Sequence, residues 1–337
     1  MNFSHFNKVM FAASLLATGF SYADSDRPLL SLSVSQSGGT ALNSEGSLDT
    51  RTPASQSRVL PIWGDAARAR GYDLPEPFGA SYSYMNLRQD IVVDKIGFDS
   101  SEWDAMSDVI KIDVGHTREK SETHMLKLDS WVFPFMNVYG LYGYTKGTSK
   151  TILNDVSMDF GFPGVPPSSI TQNEIFELDF KGRTYGAGFT LAGGYNQFFG
   201  TFDLNYTKTS LDILDGDIKA LVISPRVGYE FVFSPLISGQ GNTKLQVWTG
   251  AMYQDITQRF KGDVSKLHLP GKLNDMMNNP DFLEGIGNVK FDVEQHLAHK
   301  WNQTVGARLE VTRNFNVITE VGFNNRNSFF VSGEFRF

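Results

Sequence analysis

From Phe78 onward the chain alternates apolar and polar residues with a period of two, and its charges keep to the polar parity. Successive strand residues point to opposite faces, so this pattern describes strands with one greasy side and one wet side. In 198–207, Phe198, Gly200, Phe202, Leu204 and Tyr206 oppose Phe199, Thr201, Asp203, Asn205 and Thr207. In 218–233, Leu221, Ile223, Val227, Tyr229, Phe231 and Phe233 oppose Ser224, Arg226, Gly228 and Glu230. In 243–255, Leu245, Val247, Ala251 and Tyr253 oppose Lys244, Gln246 and Gln254. These runs are longer than the roughly 5–6 residues of a globular strand and match the roughly 9–11 that cross a membrane. Length, more than alternation, separates a membrane wall from a soluble sandwich.

By parity the inner face carries Lys111, Asp113, Lys127, Asp129, Asp203, Arg226, Glu230, Arg308, Glu310, Glu320, Glu334 and Arg336, seven acidic and five basic. On the lipid side at mid-depth a Lys or Arg would cost about 2–4 kcal/mol, so one-sided placement is what a barrel with a polar lumen requires. The pattern predicts an all-β transmembrane antiparallel up-and-down β-barrel over 78–337. Strands are expected at 78–88, 91–98, 108–117, 122–133, 136–148, 182–193, 197–209, 218–233, 243–257, 301–312, 315–324 and 328–337, about 12, with 10 or 14 as alternatives. Tight turns are expected at Arg313–Asn314 and around Tyr195–Gln197. Long connections are expected at 149–181 and 259–299, the second with a short helix at 276–283.

The last strand places Phe329, Val331, Phe335 and Phe337 on one side and Ser328, Ser332, Glu334 and Arg336 on the other. It resembles the closing strand of Gram-negative outer-membrane β-barrels, which typically end on phenylalanine. The resemblance covers 78–337 at the level of the class. It implies an outer-membrane location, contact with outer-membrane lipids, and a terminal Phe337 read by the barrel-assembly machinery. With the C-terminus in the periplasm as in that class, both long connections face outward from the cell.

The first eight residues carry one positive charge and no acid; an apolar run follows over 9–20, then Ser21-Tyr22-Ala23 before Asp24. That order of charge, apolar run and small residues is an export signal, expected to be cleaved after Ala23; the run is shorter than the roughly 20 residues of a membrane helix. Residues 24–77 are polar and Ser/Gly/Thr-rich at first. Pro61 near its start and Gly71 beyond its end then mark a short helix over 61–70. This segment reads as a periplasmic linker or plug, with Trp63, Arg68 and Arg70 as the residues that would dock in the mouth of the lumen.

The chain has no cysteine, which excludes a lipid-anchored cysteine, disulfides and thiolate metal sites. A formal charge of −7 argues against a nucleic-acid partner. No Ser and His stand at spacings that would make a hydrolase, so no catalytic residues, metal or cofactor are expected. His116 and His124 flank an expected turn at 118–121 and would face each other across a hairpin; interfacial packing fits them better than a two-ligand metal site. The stretch Gly161–Pro167 lacks the Gly-Lys-Ser/Thr of a phosphate loop, and the sequons at Asn205 and Asn302 lie within strands. Two functions remain: a barrel that passes or binds small solutes, and a non-transporting surface barrel that presents its long connections for adhesion or host contact. In the second, the inner charges only cross-link and fill the wall.

Overall fold

The computed structural model describes residues 59–69, 72, 74–100, 109–159, 166–212, 215–237, 242–264 and 289–337, with isolated positions between 265 and 288. The expected export signal, Arg70, all of 24–58 and nearly all of 276–283 lie outside them. Among the described residues a short helix α1 (Gly64–Ala69) precedes eleven strands. These are β1 (Phe78–Ser100), β2 (Ile110–Phe133), β3 (Met136–Met158), β4 (Ser168–Tyr195), β5 (Phe198–Leu211), β6 (Asp215–Phe233), β7 (Thr243–Asp263), β8 (Val289–Leu297), β9 (Trp301–Glu310), β10 (Phe315–Phe323) and β11 (Arg326–Arg336). All pairings are antiparallel, and β1 pairs with β11, so the sheet closes on itself as a barrel. The Phe78 and Phe337 backbones exchange both N–H···O bonds at 3.1 and 2.9 Å, sealing the seam at its lower rim.

The wall changes width with height. Near the termini β7 is followed by β9, β10, β11 and then β1, which makes ten strands. Higher up, β8 alone spans from Thr257–Asp263 of β7 to Ile91–Ser100 of β1. The β10–β11 hairpin therefore ends beneath β8, at a shoulder. There Ala298 N–H donates to Asp90 O, Gln254 N–H to Lys300 O, and Asn302 exchanges side-chain bonds with the Arg326 backbone.

The height of that hairpin is the height of the lipid band. The outward residues of β10 are Phe315, Val317, Val321 and Phe323, and those of β11 include Phe329 and Phe335. Aromatics mark both rims. Phe78 stacks on Phe337 at one, while Tyr82 and Tyr84 flank His124 at the other. Beyond the second rim the outer face is charged and ion-paired, as in Lys146–Glu122 at 3.1 Å, Lys150–Glu177 at 3.0 Å and Lys300–Asp255 at 2.8 Å. Charges at this density belong in water, so β1–β4, β7 and β8 continue past the membrane as a solvated extension.

Inside the extension the order inverts. Phe98, Ile110, Leu153, Val156, Leu178, Phe180, Phe260 and Phe291 form one buried apolar cluster, with Val156 and Phe260 fully enclosed. The sequence pattern assigns 149–181 and 259–299 to connections; most of the first is strand, and in the second 259–263 and 289–297 are strand. Apolar-in, charged-out is the pattern of a soluble sheet, the reverse of the band below it, and bulges break the period between the two. On β2 the register shifts between Val114 and Thr117, and odd positions point inward below the bulge and outward above it. Lys111 and Asp113 are therefore exposed on the extension and do not line the lumen. Strand β2 also runs unbroken through 118–121, where a turn was expected. Arg118 and Lys120 face out above the band, while Glu119 and Ser121 are buried inward. His116 and His124 consequently share one strand rather than facing each other. His116 lies 3.3 Å from Asp90, and His124 Nδ1 lies 2.7 Å from the Tyr82 hydroxyl.

Phe260 carries the dry roof, and its ring centroid lies 5.6 Å from that of Phe180. Phe260→Ala should destabilise the extension by about 3–5 kcal/mol through the cavity it leaves. Limited proteolysis should then cut the far-end connections faster, while the heat-dependent gel mobility of the barrel stays as in the wild type.

A chamber in the barrel interior

Below the apolar roof the lumen holds a cavity of about 450 Å³. It is layered along the strands, and the layering follows from residue order. On β2, reading up from the terminal end, Trp131, Asp129, Lys127, Met125, Thr123, Ser121 and Glu119 succeed one another inward. On β3 the order is Asn137, Tyr139, Leu141 and Thr145.

The lowest layer is ionic. Glu230 accepts from Gln246 Nε2 at 2.6 Å, and buried Lys244 lies 3.8 Å from Glu310. The Trp131, Ala192 and Phe199 side chains cluster beside them with Trp248. Gly228 and Gly306 leave the space for these rings, since a Cβ there would lie 2.5 Å from Phe199 and 2.4 Å from Trp248. Just above is a belt of paired charges. Arg226 grips Glu320 through Nε at 2.6 Å and Nη2 at 3.0 Å, and Trp248 Nε1 donates to the same carboxylate at 2.6 Å. Glu334 accepts from Arg308, Arg336 and Asn316 at 3.0–3.1 Å. Asp129 lies 3.0 Å from Arg336 and accepts from Asn137 at 2.6 Å. Asp203 accepts from the Tyr139 hydroxyl, Thr190 and Asn205. Lys127 Nζ lies 4.7 Å over the Tyr139 ring.

Above the belt the wall turns apolar, with Met85, Met125, Leu141, Val222, Met252 and Phe330. Next comes a row of threonine hydroxyls bonded strand to strand: Thr123 to Thr145 at 3.1 Å, Thr145 to Thr184 at 2.7 Å, and Thr184 to Thr209 at 2.7 Å. A buried polar layer then meets the roof. Glu119 accepts from Gln89 at 3.2 Å and Gln258 at 2.6 Å, Gln295 bonds Gln258, and Arg326 donates to Lys300 O at 3.3 Å. Within it Gln89 Oε1 and Arg326 Nη1 are buried without a hydrogen-bond partner.

Sequence parity placed Lys127, Asp129, Asp203, Arg226, Glu230, Arg308, Glu310, Glu320, Glu334 and Arg336 on one face, and they meet here. It missed Lys244, Glu119 and Arg326. Lys244 stood on the polar parity of its strand and could have been included. Glu119 was hidden by the expected turn, and Arg326 fell outside the expected last strand.

At the mouth near the termini, Ile62 N–H donates to Val132 O and Trp63 packs on Phe133 at 5.0 Å. Arg313 donates to Glu76 at 2.8 Å and to Leu74 O at 2.9 Å, and Arg336 donates to Glu76 O at 2.9 Å. The segment 59–77 is thus tied to two turns of the rim. In it Trp63 is 64% exposed, whereas Arg68 bonds Asp65 and keeps Nε and Nη2 buried without partners. Phe337 is exposed at the rim beside Phe78.

No family model and no curated protein matches the chain. Among solved structures it is similar to the transport unit of the autotransporter AIDA-I from Escherichia coli, with 11% identity, 77% of this chain and 90% of that one covered, and a TM-score of 0.34. OprG from Pseudomonas aeruginosa gives 11%, 78% and 98%, with a TM-score of 0.33. The β domain of the Bordetella autotransporter BrkA gives 10%, 78% and 100%, with a TM-score of 0.32. Likeness at this level transfers no function, and the reading rests on the barrel's own geometry.

The Arg226–Glu320 pair gives a direct test of the belt. Breaking a buried pair from one side leaves an uncompensated charge and costs about 3–5 kcal/mol, whereas replacing both partners with apolar residues is often near neutral. Arg226→Met should lower the urea midpoint of the folded barrel strongly, and Arg226→Met with Glu320→Leu should recover most of the loss.

Proposed function

We propose that this chain is an outer-membrane barrel that binds a small solute in its lumen without acting as an open pore. The observation that carries the reading is the chamber itself, roofed by a dry apolar cluster and floored by ion pairs. Its volume falls in the roughly 300–1,000 Å³ range of ligand pockets, and its lining combines apolar side chains, threonines and charges. A conducting lumen would need a wet path to the far side, which the apolar cluster occupies. Outer-membrane placement is supported by the lipid band, the aromatic rims and the export signal read in 1–23. In this reading 59–77 works as a plug over the mouth near the termini, with Trp63 at the rim and Arg68 turned inward. A second reading, a surface barrel that presents a rigid head, is favoured by one feature: the charged outer face of the extension. The two are compatible, since the extension and the chamber occupy different heights.

The chain's lack of cysteine makes access to the chamber measurable. Ser83→Cys should react slowly with a membrane-impermeant maleimide in the intact barrel and faster once residues 24–74 are deleted. The wild type should show no steady conductance in planar bilayers. A stable open channel would refute the closed-chamber reading, and an unchanged labelling rate would reduce 24–74 to a leader for β1.

The terminal residue joins this proposal through assembly. If Phe337 is recognised during insertion, its deletion should lower outer-membrane yield and leave protease-sensitive periplasmic protein. Its rim contacts alone predict a barrel that is slightly less stable and inserted as before.

A further inference from the structure

We propose that the chamber's ligand is an amphipathic organic anion, with its acidic group on Lys127 and its apolar body on Leu141, Met125, Met85 and Phe330. This rests on the chamber reading and specifies what the chamber holds. The belt that lines the foot of the cavity is a set of charges held mostly by one another. Arg226 is held by Glu320, Arg308 by Glu334, and Arg336 by Glu334 and Asp129. Lys127 differs. Among the described residues no carboxylate lies within 4.0 Å of its ammonium, although it lines the cavity at the top of the belt. It is held instead over the Tyr139 ring, and Tyr139 is fixed by donating its hydroxyl to Asp203 at 2.8 and 2.9 Å. A cation on an aromatic face keeps its remaining N–H groups free to donate. The belt thus offers one positive group that no carboxylate of the described residues contacts, in the wall of the chamber.

What surrounds that group sets the rest of the ligand. Leu141 is the register partner of Lys127 on β3. Met125 stands two residues above it on β2, opposite Ser83 of β1, and Met85 follows on β1, opposite Phe330 of β11. Four adjacent strands therefore contribute apolar side chains from the level of Lys127 upward, with Ser83 and Thr123 interleaved between the two methionines. Methionine adapts to ligand shape, which suits a flexible or variable body. A neutral apolar molecule would leave Lys127 unanswered. A cation would meet carboxylates already accepting from Arg226, Arg308, Arg336 and Tyr139. Only an anion with an apolar body uses both halves of the wall.

Decanoate and decanol serve as probes, titrated calorimetrically into the mature barrel in lipid nanodiscs with protein-free nanodiscs subtracted. Saturable one-to-one binding of decanoate, tighter than that of decanol, is expected. Lys127→Gln should weaken decanoate by about tenfold or more, the value of a charge-assisted hydrogen bond, and leave decanol unchanged. Leu141→Trp, which fills the chamber, should abolish both. Heat-dependent gel mobility confirms that each variant is folded. Equal binding of the two probes, or decanoate binding untouched by Lys127→Gln, would overturn the role of Lys127. If Leu141→Trp still blocked binding in that case, the chamber itself would stand. No binding of either probe to the wild type would overturn the ligand class, while only a steady wild-type conductance would remove the chamber reading.

Discussion

The structure depends on one constraint: in lipid, each backbone N–H and C=O must find a partner within the protein. An open sheet cannot meet that requirement along its edges, so the first strand must reach the last. Here it does so through eleven register pairs between β1 and β11 and the reciprocal bonds of Phe78 with Phe337. Closure then dictates where chemistry can be. Once the ring is shut, every second residue faces a confined interior and the others face hydrocarbon. The charges of this chain have only the inside, or the water beyond the rim, in which to exist.

The need for closure also accounts for the shoulder. Strands β9, β10 and β11 are as long as the bilayer is thick and stop there, whereas β1 and β7 continue. Left alone, those two would expose bare edges above the hairpin. Strand β8 covers both at once, pairing with Thr257–Asp263 of β7 and Ile91–Ser100 of β1. The wall above the membrane is thereby narrower, and a narrower tube can be filled by side chains. The apolar cluster is what fills it. Outside it, Asp292 shows how charge is held at this level. Burial works against its charge, yet Arg259 and Lys261, at 3.0 and 3.1 Å, hold its carboxyl below the usual carboxylate range.

The band was legible in the sequence because lipid leaves no freedom in the pattern. Phe315, Val317, Val321 and Phe323 cannot be anything but outward, and Asn316 and Glu320 must then be inward. The extension was not legible, because in water either face of a strand tolerates charge. Residues such as Lys150, Glu177, Asp179 and Lys181 look like a loop until the apolar partners Leu153, Leu178 and Phe180 are seen to share an interior. Bulges removed the remaining signal: Lys111 and Asp113 obey the same alternation as Lys127 and Asp129, but a register shift separates them. Periodicity reports a face only as far as the register holds. The chamber was half legible for a related reason. Parity gathers residues on one face, but it does not give their heights, and it is height that separates the ionic belt, the methionine stripe, the threonine row and the roof.

A lumen filled with paired charges is poor support for stability, since well-packed apolar residues would serve as well or better. What pairing does achieve here is geometric. Carboxylates of the belt restrain its long cationic side chains: Glu320 holds Arg226, Glu334 holds Arg308, and Glu334 with Asp129 holds Arg336. A floor of extended, mutually restrained side chains leaves a defined space above it; the same residues unpaired would sweep that space. Lys127 is the exception that gives the arrangement a direction, because the ring of Tyr139 restrains it without spending its charge. The chamber is thus shaped by paired ions and marked by one cation of the belt that no carboxylate of the described residues contacts.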